Sequence, residues 1–153
     1  MCDTDGTRRL LDVTATERDL GVLVSNDLKV HAQVEAAASV ANRVLGRLKK
    51  AFRSRDLALW RALYLSYVRP HLEFAIQAWS PHLKRDIGIL ERVQQRATKV
   101  ITSLKRKPYK MRLRELDLTT LSERRTRGDL IEQFKILHDL DEVNFYVPQI
   151  APA

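Results

Sequence analysis

A helical periodicity that follows a proline corner constrains this 153-residue chain more than any other feature. In residues 84–101, KRDIGILERVQQRATKVI, the apolar positions Ile87, Leu90, Val93, Ala97, Val100 and Ile101 recur at steps of three and four. At about 100° per residue they form one stripe, and a stripe of this kind has to be buried. Arg85, Arg92, Arg96 and Lys99 project more than about 100° from the centre of that stripe on the same wheel. The spacing therefore predicts a helix with an oily back and a cationic front. Immediately before it, Ser80-Pro81 removes a backbone donor and pushes Ser80 towards extended geometry, which sets a sharp corner after Trp79.

The other segments are placed relative to this one. Residues 1–9 are a polar lead-in. The apolar, partly β-branched residues 10–13 and LGVLV at 20–24, with turn chemistry at Ser25-Asn26-Asp27, predict two or three short strands and a small hairpin. From about 31 to 52, Val34, Ala37, Ala41, Val44, Leu45, Leu48 and Phe52 keep helical spacing in an alanine-rich segment. Its C-terminal half carries Arg43, Arg47, Lys49, Lys50 and Arg53, where cations complement the helix dipole. Ser54 or Asp56 can cap a following helix with Leu57, Trp60, Tyr64, Tyr67 and Val68 as its stripe. Pro70 then breaks or kinks it, and residues 71–79 resume as a segment carrying Leu72, Ile76 and Trp79. Aromatics at this spacing belong to a core more often than to a base-stacking platform.

After the basic helix, SLKRKPYK at 103–110 is polar and interrupted, and reads as a solvated loop. Its Lys105, Arg106, Lys107 and Lys110 beside Tyr109 suit either plain solvation, a phosphate backbone with Tyr109 stacking, or a nuclear-import signal. A short helix from about 109 to 116 uses Met111, Leu113 and Leu116 as contacts. TLSE at 120–123 has the form of a capping box and starts a helix firmly. The spacing of Leu130, Ile131, Phe134 and Leu137 predicts the buried face of that helix. Arg124, Arg125 and Arg127 stand on its first turns, where the dipole disfavours cations, so their placement points to a partner. Residues 141–153 read as an extended tail, with Phe145 and Tyr146 able to dock back.

The formal charge of +8 is unevenly distributed. Residues 92–127 hold twelve Lys or Arg against three acids, a local +9, and the remaining fifteen against sixteen give −1. Localised basicity is the footprint of a polyanion partner, of which nucleic acid is the commonest, and equally of a solubilising surface. The single Cys2 forms no internal disulfide, which fits a reducing intracellular compartment, nuclear or cytoplasmic, better than secretion. The sequence shows neither an apolar span long enough for a bilayer nor the apolar core of a signal peptide, so no membrane partner is expected. His31, His71, His82 and His138 are far apart without cysteine partners, and no Gly-rich phosphate loop or carboxylate cluster is evident, so neither metal nor cofactor is expected.

VRPHLEFAIQAWSPHLKRDIGILERVQQRATKVI at 68–101 resembles the thumb region of reverse transcriptases from non-LTR, LINE-type, jockey-like retrotransposons. DLGVLVSNDLKV at 19–30, ANRVLGRLKKAFRSRD at 41–56 and RRTRGDLIEQFKILHDLDEV at 124–143 resemble the neighbouring blocks of that family, in the same order. The resemblance covers about residues 10–145 and implies a mainly α fold: a helical, thumb-like bundle with a short N-terminal β hairpin left from the polymerase palm. The implied division is 1–30 as residual palm strands, 31–140 as thumb and 141–153 as tail. The family performs phosphoryl transfer with palm aspartates, including an Asp-Asp pair, that hold two metal ions. This sequence contains no Asp-Asp dipeptide, so the expectation is a non-catalytic fragment.

The thumb reading implies a template–primer duplex or RNA–DNA hybrid as partner, held through phosphates by Arg85, Arg92, Arg96, Lys99, Lys105, Arg106, Lys107, Lys110, Arg124, Arg125 and Arg127. The alternative is a helical module of retroelement origin that binds a protein or a second copy of itself, without a nucleic-acid role.

Overall fold

The computed structural model describes residues 13–138 and 140. It opens with strands β1 (Thr16–Asp19) and β2 (Val22–Ser25), paired antiparallel with Thr16 opposite Ser25 and Asp19 opposite Val22. Their connection is Leu20-Gly21, both at positive φ (44° and 89°), the backbone that a type I′ hairpin turn requires. The turn expected at 25–27 does form, as a turn that closes on Leu28 at the exit of β2, but the hairpin itself turns at Leu20-Gly21. A two-residue turn makes a strand of the polar TERD segment, whereas Asn26 and Leu28 close the exit by donating to the Ala15 and Ser25 carbonyls, both at 2.9 Å. Residues 10–12 of the expected first strand lie outside the described residues, as do the lead-in and the tail beyond Leu140.

Leu20 carries a β-carbon in the left-handed region while 90% exposed, so it bears conformational cost with little burial in return. Leu20→Asn is therefore expected to stabilise the chain by roughly 0.5–1 kcal/mol, because Asn tolerates that conformation and Asn-Gly is the preferred turn. Urea unfolding of the two proteins side by side checks it.

Among the described residues seven α-helices follow: α1 (His31–Ala51), α2 (Leu57–Leu63), α3 (Arg69–Glu73), α4 (Ile76–Trp79), α5 (Lys84–Thr98), α6 (Tyr109–Glu115) and α7 (Leu121–Leu137). The fold is mainly helical with the short hairpin at its N-terminal side. Asp56 caps α2, accepting from the Leu59 amide at 3.0 Å. Pro70 does not break the chain. The helix widens into a π turn at Tyr64–Val68 just ahead of it, and α3 continues. A proline ring crowds the carbonyl four residues earlier, and one wider turn relieves that contact. The break comes instead at Phe74 and Ala75, where Ala75 turns left-handed (φ 49°) before α4. Trp79 ends α4 buried, its indole donating to the Phe74 carbonyl at 2.8 Å, so it fastens both sides of that break.

One core joins these elements. Val34, Ala37, Ala41 and Leu45 of α1 meet Trp60, Tyr64, Val68, Leu72, Ile76 and Trp79, and behind them Leu90, Val93, Ala97 and Ile101. Val22 of β2 belongs to the same cluster, and the Leu23 amide donates to Gln33 Oε1 at 2.9 Å. The helices therefore cover one edge of the hairpin. β1 is exposed throughout but carries Glu17, Arg18 and Asp19, charges that discourage pairing with another chain.

Three further expectations about packing are corrected. In α6, Leu113 and Leu116 bury as expected, but Met111 is exposed and Arg112 goes inside in its place. The 103–110 segment is mostly exposed as expected, but it packs at Leu104, which closes a short 3₁₀ turn (Thr102–Leu104) and is fully buried. The largest departure is in α7, where Leu130, Ile131, Phe134 and Leu137 are 61, 47, 56 and 72% exposed. Its capping box forms as expected, Thr120 Oγ1 accepting from the Glu123 amide at 3.1 Å and Glu123 Oε2 from the Thr120 amide at 3.0 Å. Only Leu121 and Arg125 of this helix are buried, both in its first two turns.

Candidate nucleic-acid interface

Helix α5 sits at the centre of the candidate site because its two sides are held by different neighbours. On one side it runs alongside α1 in the same direction: His31 Nδ1 lies 2.7 Å from Asp86 Oδ1, and two to three turns further Arg96 donates to Asn42 Oδ1 at 3.1 Å. Arg85 Nη2 is 2.9 Å from His31 Nε2. The same Nε2 lies 3.3 Å from Glu35 Oε1, so the imidazole sits between Arg85, Glu35 and the buried Asp86 carboxylate. These contacts fix the rotation of α5 about its own axis.

On the other side a buried polar chain ties α5 to α6 and α7. The Tyr64 hydroxyl donates to Gln94 Oε1 at 2.5 Å, and Gln94 Nε2 donates to the Tyr109 hydroxyl at 3.0 Å and to the Thr119 carbonyl at 2.9 Å. Tyr109 in turn donates to Glu91, whose second oxygen accepts from the Leu121 amide at 3.1 Å. A carboxylate at the first amide of α7 also meets the positive end of that helix. Tyr109, expected as a base-stacking side chain, is thus held inward by two hydrogen bonds. Asp86, Gln94 and Thr98 are buried on or beside the apolar stripe, while Ile87, expected there, is only half-buried. The polar partners that make those burials possible come from α1, α6 and α7 and are brought up only by docking.

Burial pushes the Tyr64 and Tyr109 hydroxyls well above the ordinary phenol range, with Glu73 and Glu91 adding to the effect on Tyr64 and the Glu91 hydrogen bond adding to it on Tyr109. Both are neutral when folded, and only the unfolded chain releases these protons near pH 10. Stability is therefore whole below about pH 10 and falls as pH rises beyond it, by up to about 1.4 kcal/mol per pH unit for fully buried Tyr64 and less for half-buried Tyr109. A series of melting temperatures from pH 8 to 11.5 is expected to stay flat and then fall steeply.

With both flanks occupied, Arg85, Arg92, Arg96 and Lys99 share the open side of α5, all exposed and within an arc of about 60°. The side chains of Arg92 and Lys99 have no hydrogen bond or ion pair among the described residues, and the contacts of Arg85 and Arg96 are with His31 and Asn42. Among the described residues no acid forms an ion pair with any of the four, and Glu35 is 3.3 Å from the His31 nitrogen that Arg85 meets. Lys105, Arg106 and Lys110 are exposed and likewise unpaired among the described residues, as is Arg127 on α7.

Three of the expected contacts drop out or weaken. Lys107 is paired with Glu115 at 2.5 Å. Arg124 is held by both oxygens of Glu73 at 2.7 and 3.3 Å, and that carboxylate keeps it charged but occupied. Arg125 is only 6% exposed, and burial pushes its pKa down. It cannot reach a phosphate backbone, because the α7 face that carries it is the one packed on the bundle. The basic first turns of α7 thus serve mostly internal contacts.

Among the described residues no group of three or more His, Cys, Asp or Glu could hold a metal ion, and no helix is long and apolar enough to cross a membrane. Comparison with protein-family models, with curated proteins and with solved structures returns no match.

Proposed function

We propose that this chain is a non-catalytic piece of a retroelement reverse transcriptase, of the LINE and jockey-like type that residues 68–101 resemble, and that its helical thumb grips template–primer nucleic acid through phosphates. The observation that carries the reading is the open side of α5: four cations on one exposed face, none paired with an acid. Lys105, Arg106 and Lys110 extend that charge past the C-terminal end of the helix. Contacts of this type read backbone charge and not base sequence. The chain contributes no chemistry of its own in this reading. It holds a duplex or RNA–DNA hybrid for a catalytic palm supplied elsewhere.

The test is a binding titration with labelled single strand, DNA duplex and RNA–DNA hybrid across a salt series. Four phosphate contacts give a slope of log K against log salt of about −3.6 on a duplex. Tight, salt-sensitive binding to duplex or hybrid supports the reading, and absence of binding at low ionic strength ends it.

A second reading rests on the outer face of α7, where Leu130, Ile131, Phe134 and Leu137 stand together in solvent. Exposed apolar clusters mark protein contacts, and this one suits a helical partner or a second copy of the chain. A mass by light scattering that rises with concentration, and that Phe134→Glu holds at the monomer, would favour it.

A further inference from the structure

Three glycines, Gly46, Gly88 and Gly128, interrupt the long helices. A glycine in a helix interior is about 1 kcal/mol worse than alanine, so each calls for a reason. At all three a β-carbon would meet nothing within 4 Å, so packing inside the molecule supplies none. Their surroundings differ. Gly88 is among the residues that line a shallow, open depression of about 530 Å³ along α5, together with Lys84, Arg85, Ile87, Arg92 and Gln95. Gly128 borders a smaller one where Glu73 and Asp129 offset Arg124 and Arg125. The one acid at the Gly88 depression, Glu91, has both oxygens engaged inward by Tyr109 and the Leu121 amide.

We propose that Gly88 is the point of closest approach of a sugar–phosphate strand, which lies across α5 in this depression with Arg85 and Arg92 on its phosphates. This rests on the phosphate-gripping reading above and adds to it a seat on the helix. Arg85 and Arg92 are seven residues apart, about 10.5 Å along the axis, with the bare backbone of Gly88 between them. A side chain at 88 would stand where the strand must come down before both guanidinium groups can reach it. The missing side chain therefore serves the ligand, at the expense of the helix.

The experiment compares wild type, Gly88→Ala, Gly88→Leu and Arg92→Glu, in thermal melting and in binding of an RNA–DNA hybrid at low salt. Both Gly88 variants are expected to melt higher than wild type, since the space is open and the helix gains propensity. Hybrid affinity is expected to fall slightly for Gly88→Ala and about tenfold or more for Gly88→Leu, with a shallower salt slope as the Arg85 and Arg92 contacts are lost. A variant that is more stable and binds worse separates a ligand seat from a folding effect. If Gly88→Leu binds within twofold of wild type while Arg92→Glu binds poorly, the strand does not pass over Gly88 and the inference is wrong, although the phosphate reading stands. If wild type itself shows no salt-sensitive binding, the phosphate reading has failed and the seat with it.

Discussion

Reversing three charges, Arg92→Glu, Arg96→Glu and Lys99→Glu, is expected to reduce hybrid binding at low salt by on the order of a hundredfold or more while leaving the fold intact. Each substitution removes one phosphate contact and puts a repelling carboxylate in its place, so the salt slope should shrink by about 2.7. Stability should hold because all three side chains are exposed, and the only hydrogen bond among them is that of Arg96 to Asn42. Surface changes of this kind usually stay within about 0.5 kcal/mol. The matched control is Lys49→Glu, Lys50→Glu and Arg53→Glu at the C-terminal end of α1, which changes net charge by the same amount. If both triple variants lose affinity equally, binding follows overall charge and α5 has no special part in it.

Gln94→Leu is expected to be among the most destabilising single changes in the chain, at roughly 2–4 kcal/mol. The side chains are similar in size, so the cost is not a cavity. It comes from the Tyr64 hydroxyl, buried and left without its acceptor, and from the Thr119 carbonyl, which loses its donor. Tyr109 keeps Glu91 and so contributes less. Against a typical total stability of about 5–15 kcal/mol, a loss of this size should shift a urea midpoint far outside error. Tyr64→Phe removes the orphaned hydroxyl, so the double variant Tyr64→Phe with Gln94→Leu should cost clearly less than the two single costs added. Strict additivity would mean that the two side chains do not act as one network. The network bears on function because it fixes α7 and α6 on one flank of α5 and leaves the cationic side outward.

The legible and illegible parts of this fold divide on physical grounds. Several local signals held, though not the break at Pro70: the Thr120 and Glu123 capping box, the corner at Ser80-Pro81, Trp79 as a core residue, and the oily and cationic sides of α5 all follow from spacing and backbone chemistry within a few residues. What failed was the choice of neighbours. Leu130, Ile131, Phe134 and Leu137 have the spacing of a buried stripe, and nothing in that spacing tells whether a partner element lies opposite. The helix settles on Leu121 and Arg125 because its start is pinned by Glu91 at the Leu121 amide. In the same way Arg124 and Arg125 looked available because Glu73, which is 51 residues before Arg124, is brought to it only by tertiary folding. Periodicity gives the existence of a face, and long-range docking decides which way it points.

The exposure of the candidate residues follows the sequence where they lie on one helix and departs from it where they are gathered from several elements. Arg85, Arg92, Arg96 and Lys99 needed only the α5 wheel. The contribution of Tyr109 was misread because a tyrosine in a lysine-rich segment has the composition of a stacking site, whereas its hydroxyl finds Glu91 and Gln94 from 18 and 15 residues away.

Backbone amide exchange with and without an RNA–DNA hybrid tests the central claim most directly, because it locates the ligand on the fold without any substitution. At low salt the hybrid should slow exchange within residues 84–107, strongest around Gly88 and Arg92, and the protection should fade as salt is raised. Protection confined to the outer face of α7 at residues 130–137, or no protection at low salt, would contradict it.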